Sequence, residues 1–310
     1  MWYWVLAWIL TILTVVGNGL VIYLIISNRR LQTTANWSVL SLAFADLFVG
    51  LTFFPLLFAF NIDNLQDAPI SVDPFFLVSR TFLYFSATNL FVMILDRYMA
   101  IVHPLKYLSL VTTKVITLGV ILAWISPMLL FSLPYALKVG SRGLLVARVG
   151  LLQLVPVLVF VYVTCRIFII MREISKRTSR IFAQLAFNHA QISSNAVFYN
   201  GPESRAASKL TVAIVFFFII CYVAENYKCF CIVFGMCKTT ATLEQVIDLL
   251  FVINSAANPI AYAFLKRDIK TVIRQMLARR KVNVSTANTH GTETSTSEPR
   301  TEKSFSSQSV

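Results

Sequence analysis

The chain is 310 residues long, 57% hydrophobic and only 13% charged, against about 25% charged for an ordinary soluble domain. With 25 Phe and a mean hydropathy of +0.72, it holds more apolar surface than a soluble fold of this size hides. That excludes globular enzymes, disulfide-built secreted scaffolds and disordered regulators, and points to an integral membrane protein.

Seven long stretches nearly free of charge follow one another. Met1 to Asn28 carries no charge; Leu31 to Ile62 carries only Asp46; Pro74 to Leu95 carries only Arg80; Val115 to Leu137 carries none. Val149 to Cys165 is clean and stays apolar through Met171, Leu210 to Phe234 is broken by Glu225 and Lys228, and Leu249 to Leu265 is clean, starting nearer Thr242. A bilayer core of about 30 Å needs about 20 apolar residues per helical pass, whereas membrane strands need only about 9 to 11 with alternation. All seven are therefore predicted to be helices. The first run lacks a basic n-region and is about twice the usual signal-peptide core, so it is expected to remain as the first helix, with almost no ectodomain before it.

Orientation is predicted from the basic residues. With the N-terminus outside, the inner segments near 29–35, 96–114, 166–209 and 266–310 hold 21 of the 27 Lys and Arg. The outer face holds six, offset by six acids that include Asp73, Glu225, Glu244 and Asp248. The positive-inside rule then puts the C-terminus in the cytoplasm of a multi-pass plasma-membrane protein. The net charge of +13 is a topology signal and a site for anionic membrane lipids, with no nucleic-acid partner expected.

Residues 1–281 are predicted to form one domain, and 282–310 a disordered cytoplasmic tail. Apolar Ile269, Val272, Ile273, Met276 and Leu277 recur at helical spacing among basic residues, the pattern of an amphipathic eighth helix on the cytoplasmic surface. From Val282 onward 13 of 29 residues are Ser or Thr, without apolar periodicity. The stretch from Met171 to Lys209 is predicted as the one long inner loop. No internal repeat of the kind that builds many transporters is visible.

Polar groups inside the runs stand out because the bilayer makes them costly. Asp46 lies mid-way along the second run, Ser86 and Asn89 in the third, and Asn254, Ser255 and Asn258 in the seventh. One carboxylate among amide and hydroxyl oxygens suits a hard cation such as Na⁺, or else hydrogen-bonded contact between helices.

Six motifs in order carry a resemblance. They are Gly17-Asn18 with Leu20-Val21, Leu42-Ala43 with Ala45-Asp46, Asp96-Arg97-Tyr98 followed by His103-Pro104-Leu105, Trp124, Pro156, and Asn258-Pro259 with Tyr262. Together, over Val15 to about Leu277, the chain resembles the rhodopsin-like (class A) G-protein-coupled receptors. The resemblance implies an all-α membrane protein, a seven-transmembrane-helix bundle with an eighth helix. It also implies a receptor, not an enzyme, that binds an extracellular small-molecule or peptide ligand and activates a heterotrimeric G protein. A polytopic transporter or channel is the alternative class.

By the same resemblance Asp96, Arg97 and Tyr98, with Asn258, Pro259 and Tyr262, are the coupling and switch residues. Asp46, Ser86, Asn254, Ser255 and Asn258 fall where the family holds Na⁺, and no other cofactor is expected. The sixth run departs from the pattern, with Phe218, Cys221, Tyr222 and Ala224 where the family has an aromatic, a Cys, a Trp and a kinking Pro. Its toggle is then Tyr222. Thr164 stands where a Tyr is expected low on the fifth run. The disulfide from the third run to the second outer loop is missing, since no Cys lies between Asn61 and Phe160, an absence shared with the melanocortin receptors.

Ser79 stands where amine receptors place an Asp, and Val252 where opsins place their Schiff-base Lys. The ligand site is expected at Ser79, Arg80, Tyr222 and Glu225. Arg80 is expected either to reach outward or pair with Asp73, with Glu225 on Lys228, or to face Glu225 across the cavity. An outer disulfide is expected between Cys237 and either Cys229 or Cys231, because the outer face is oxidising. The tail, with Thr292 to Ser297 and Ser304 to Ser309, is expected to be phosphorylated by receptor kinases and then to bind arrestin.

Overall fold

The computed structural model describes residues 2–59, 74–188, 219–224, 226–227, 231, 240–265 and 268–276. Among the described residues every regular element is helical. Six helices there are long and apolar enough to cross a membrane: Trp2–Ser27, Asn36–Ala59, Leu77–Ala100, Thr113–Ala136, Gly143–Ile170 and Ala241–Ala263. They coincide with six of the seven predicted runs. The remaining run is described only at 219–224, 226–227 and 231, where it is helical.

We label the helices α1 (Trp2–Ser27), α2 (Thr34–Ala59), α3 (Pro74–Val102), α4 (Thr113–Pro127), α5 (Val155–Asn188), α6 (219–224), α7 (Ala241–Leu265) and α8 (268–276). The chain folds as helices because lipid offers nothing to hydrogen-bond a backbone, so each segment must satisfy its own N–H and C=O groups. α1 shows how the sequence then selects a face. Tyr3, Ala7, Thr11, Thr14, Asn18, Val21 and Ile25 are buried at steps of three and four, while Val5, Ile9, Ile12, Val16 and Leu20 point outward. Over the middle of α1 the inward residues Ala7, Thr11, Thr14 and Asn18 are small or polar while large apolar ones point outward, which permits close helix contact. A Cβ at Gly50 would lie 2.9 Å from Val15 Cγ2, and one at Gly17 would lie 2.9 Å from Pro259 Cγ.

Two prolines show how the helices cross-link. Pro127 in α4 has no N–H for the Ala123 carbonyl one turn before it, and Thr88 Oγ1 of α3 donates to that oxygen instead, at 2.7 Å. Pro259 in α7 likewise leaves the Ser255 carbonyl, which accepts from Asn18 Nδ2 of α1 at 3.2 Å. Each missing intrahelical bond becomes a bond between helices. After Pro127 the chain passes through a wide π turn, Met128–Ser132, before Leu133–Ala136, and a second wide turn, Gly150–Leu154, precedes α5.

Two boundaries differ from the sequence reading. α3 continues to Val102, so Asp96, Arg97 and Tyr98 lie on its last turns. α5 runs to Asn188, turning half of the predicted inner loop into helix. Hydropathy located where the membrane ends; the helix continues because residues 171–188 contain no Gly or Pro and Glu173 precedes Arg177 at the favourable four-residue spacing. Arg172 also lies over the Phe168 ring at 4.1 Å. Residues 268–276 (α8) are helical, with Ile269 and Val272 buried against the main apolar cluster and Met276 40% exposed. The tail from 282 lies outside the described residues.

Candidate functional site

Among the described residues, four polar systems bear on the expected site residues. The first is centred on Asp46, which is fully buried. Ser86 Oγ of α3 donates to its Oδ1 at 2.6 Å, and Asn258 Nδ2 of α7 donates to its Oδ2 at 2.7 Å. Ser255 Oγ lies 3.5 Å from Ser86 Oγ. Asn254 is buried as well, and Oδ1 of both Asn254 and Asn258 has no hydrogen-bond partner among the described residues. A carboxylate in the slab with four nearby groups that still offer oxygen lone pairs is the donor set a hard cation takes. The five residues expected at a cation site are thus all buried, with Asp46 joined directly to Ser86 and Asn258.

The second system links three helices and escaped sequence reasoning. Trp124 Nε1 of α4 donates to Ser41 Oγ of α2 at 2.9 Å, Ser41 Oγ donates to Asn89 Oδ1 of α3 at 2.6 Å, and Asn89 Nδ2 donates to the Phe85 carbonyl at 2.8 Å. Asn89 was visible as a polar residue in its run. Ser41 gave no signal, because uncharged hydroxyls are common in apolar helices.

The third lies at the Arg97 end. Arg97 Nη2 is 3.4 Å from Asp96 Oδ2, with the Asp96 side chain 1% exposed and Arg97 35%. Tyr107, in a short helix spanning Pro104–Leu110, donates its hydroxyl to Asp96 Oδ1 at 2.9 Å. Burial, then the neighbouring Asp96 charge and its hydrogen bond, pushes the Tyr107 hydroxyl up to about 12, so it remains a donor. Tyr98 packs between His103 and Tyr162, each at a ring distance of 6.1 Å. Tyr262 is buried and points its hydroxyl at Met93 Sδ, 3.5 Å away. Thr164 bonds the Phe160 carbonyl of its own helix at 2.6 Å, so it makes no reach across the bundle.

Between the two ends, Tyr222 of α6 is buried with ring centroids 5.3 Å from Phe160 and 5.9 Å from Phe251. Its hydroxyl has no hydrogen-bond partner among the described residues. Phe218 and Glu225 lie outside the described residues.

The fourth system lies around Arg80. Its guanidinium is 3.6 Å from the Asp248 carboxylate of α7 and 5.6 Å from the Phe53 ring centroid. The pairing was expected with Asp73 or Glu225, both outside the described residues. Asp248, an outer-side acid by the sequence reading, is 4% exposed. α7 begins at Ala241, close to the expected start near Thr242, and so includes Glu244 and Asp248. Ser79 is buried beside Arg80. One turn further along α3, Gln153 Nε2 donates to the Tyr84 hydroxyl at 3.0 Å. A charge scan passes over Gln153. Cys231 is disulfide-bonded, and Cys165 and Cys221 are free; Cys229 and Cys237 lie outside the described residues.

The sequence model described as "7 transmembrane receptor (rhodopsin family)" matches residues 17–262. Curated relatives include the histamine H2 receptor of Homo sapiens, 28% identical over 299 residues that cover 89% of this chain and 79% of the relative. The histamine H2 receptor of Cavia porcellus is 27% identical, covering 92% and 80%. Trace amine-associated receptor 8b of Mus musculus is 25% identical, covering 86% and 83%. With the family matched over most of its length, and with apolar helices at the matching runs, the chain belongs to the rhodopsin family of seven-transmembrane receptors.

Proposed function

We propose that this receptor, with its N-terminus outside the cell and its C-terminus in the cytoplasm of the plasma membrane, binds an extracellular ligand and drives nucleotide exchange on a heterotrimeric G protein. The observation that carries this reading is the Asp96–Arg97 pair at 3.4 Å, with Tyr107 steadying the acid. A guanidinium held by its neighbour at the basic end of the bundle is a resting arrangement. When the inner ends of α5 to α7 separate, Arg97 leaves Asp96 and meets the G protein, a two-state rearrangement of packed helices. Pro259 removes one intrahelical bond beside Asn258 and Tyr262, a point at which α7 changes shape at low cost. Tyr222, seated between Phe160 and Phe251, couples the ligand end to that movement.

Na⁺ is proposed as an inhibitory ion among Asp46, Ser86, Asn254, Ser255 and Asn258. The two amide oxygens without partners support this, and the bound ion would hold α2, α3 and α7 together. Receptor kinases and arrestin are the proposed partners of the Ser/Thr-rich tail. Membrane lipids are the proposed occupants of the open groove of ≈ 550 Å³ between α2 and α4, lined by Trp37, Phe44, Phe48, Ile116 and Trp124.

The test is Arg97→Ala in cells carrying a panel of G proteins. Exchange should be lost while surface expression persists; full exchange by that variant refutes the reading. Substrate flux through proteoliposomes holding the purified protein would favour a transporter instead.

A further inference from the structure

Arg80 and Tyr84 are four residues apart on α3, so one stands above the other on a single face, about 6 Å along the axis. Arg80 reaches α7 and the buried Asp248 carboxylate at 3.6 Å. Tyr84 accepts from Gln153, which the wide turn Gly150–Leu154 carries into the bundle ahead of α5. Gln153 is 3% exposed, and its Oε1 has no hydrogen-bond partner among the described residues. Side chains one turn apart on α3 thus reach an acid on α7 in one case and, in the other, a buried acceptor with unused capacity just ahead of α5.

The ion pair is asymmetric. The Arg80 side chain is 13% exposed and also rests 5.6 Å from the Phe53 ring, where a cation retains an attraction after leaving its acid. The Asp248 side chain is 5% exposed. A carboxylate that deep in an apolar slab requires a positive charge close by. Exchange at this pair is therefore easiest for a newcomer that brings a cation.

We propose that a small ligand with a protonated amine displaces Arg80 from Asp248 and takes its place on the carboxylate, while a hydrogen-bond donor at the ligand's other end meets Gln153 Oε1. The acid that anchors the amine then comes from α7, and Ser79 leaves room on α3. Arg80 is a tethered competitor that holds the site shut until the amine arrives. This inference rests on the receptor reading above and names the ligand class.

The purified full-length receptor is melted with 2-phenylethylamine, tyramine and histamine, and with N-acetylated, uncharged counterparts. The amines should raise the melting temperature and the acetylated forms should not. Asp248→Asn should raise the half-effective amine concentration by about thirty-fold or more, since one partner of a buried charge contact is removed. Arg80→Lys, which keeps the charge but gives up the planar fork, should lower it. Gln153→Leu should weaken tyramine and histamine, which carry a distal donor, and leave 2-phenylethylamine unchanged.

The proposal is overturned by a parent receptor that no amine stabilises at millimolar concentration, by equal shifts from the acetylated forms, or by Asp248→Asn responding like the parent. Stabilisation by 3-phenylpropionate instead would make Arg80 an anchor for anions and overturn it too. If Asp248→Asn fails to fold, the Arg80→Lys and Gln153→Leu shifts still decide. Melting needs no G protein, so amine stabilisation without nucleotide exchange sinks only the signalling reading, and exchange without amine stabilisation sinks only this one.

Discussion

Gly17 gives a direct test of how closely α1 and α7 approach. A Cβ there would lie 2.9 Å from Cγ and 3.1 Å from Cβ of Pro259, while a Cβ at Gly19, two residues on, would meet nothing within 4 Å. The proline ring is rigid and sits at the weak point of α7, so α7 must shift to admit even a methyl group. Overpacking of this kind destabilises by about 1–3 kcal/mol. Replacing Gly by Ala in a helix also contributes about 1 kcal/mol in the opposite direction. That second effect is common to both sites and cancels when Gly17→Ala is compared with Gly19→Ala, leaving a difference of about 1–3 kcal/mol from the contact alone. At about 2–4 °C per kcal/mol for a chain of this order, Gly17→Ala should melt about 2–12 °C below Gly19→Ala. Thermal denaturation of the detergent-solubilised variants, followed by Trp fluorescence, reads this directly. Gly17→Ala melting at or above Gly19→Ala would refute the close packing of α1 on Pro259.

Further expected outcomes concern the other polar systems. Ser41→Ala removes the hydroxyl that joins Trp124 to Asn89 and should destabilise by about 1–3 kcal/mol through groups left unsatisfied; an unchanged melting curve would show that the bridge contributes nothing. Tyr107→Phe takes one donor from Asp96 and should raise ligand-free nucleotide exchange by about two- to tenfold, a fraction of what a hydrogen bond to a charged group contributes; basal exchange at or below the parent level contradicts this. Agonist affinity should fall as Na⁺ rises and Asp46→Asn should remove the dependence, so a salt response that survives the substitution points to a purely structural carboxylate. Deleting the chain after Arg280 should slow internalisation, measured by surface labelling, and an unchanged rate removes the tail from arrestin recruitment.

The number of helices, their order and their inward faces are properties of the sequence, because a bilayer enforces them locally. Each run must be long, apolar and self-bonded, and small or polar residues at steps of three and four, such as Ala7, Thr11, Thr14 and Asn18, mark the face that seeks neighbours. Short motifs such as Asp96-Arg97-Tyr98 are legible for the same reason: adjacent residues need no fold to bring them together. Helix ends outside the slab are less legible. Hydropathy marks the edge of the membrane rather than of the helix, and so α5 reaches Asn188 through what reads as loop.

Contacts between helices belong to the tertiary structure. That Thr88 serves the carbonyl freed by Pro127, that Asn18 serves the one freed by Pro259, and that Ser41 joins Trp124 to Asn89 depend on how the helices are rotated and how deep each sits. The contact between Arg80 and Asp248 is the clearest case. The sequence supplies several acids at the same end of the bundle, and it takes the position of α7 to bring the Asp248 carboxylate within 3.6 Å of the guanidinium. A one-dimensional pattern fixes which groups must find partners inside the membrane, and packing in three dimensions decides which partners they find.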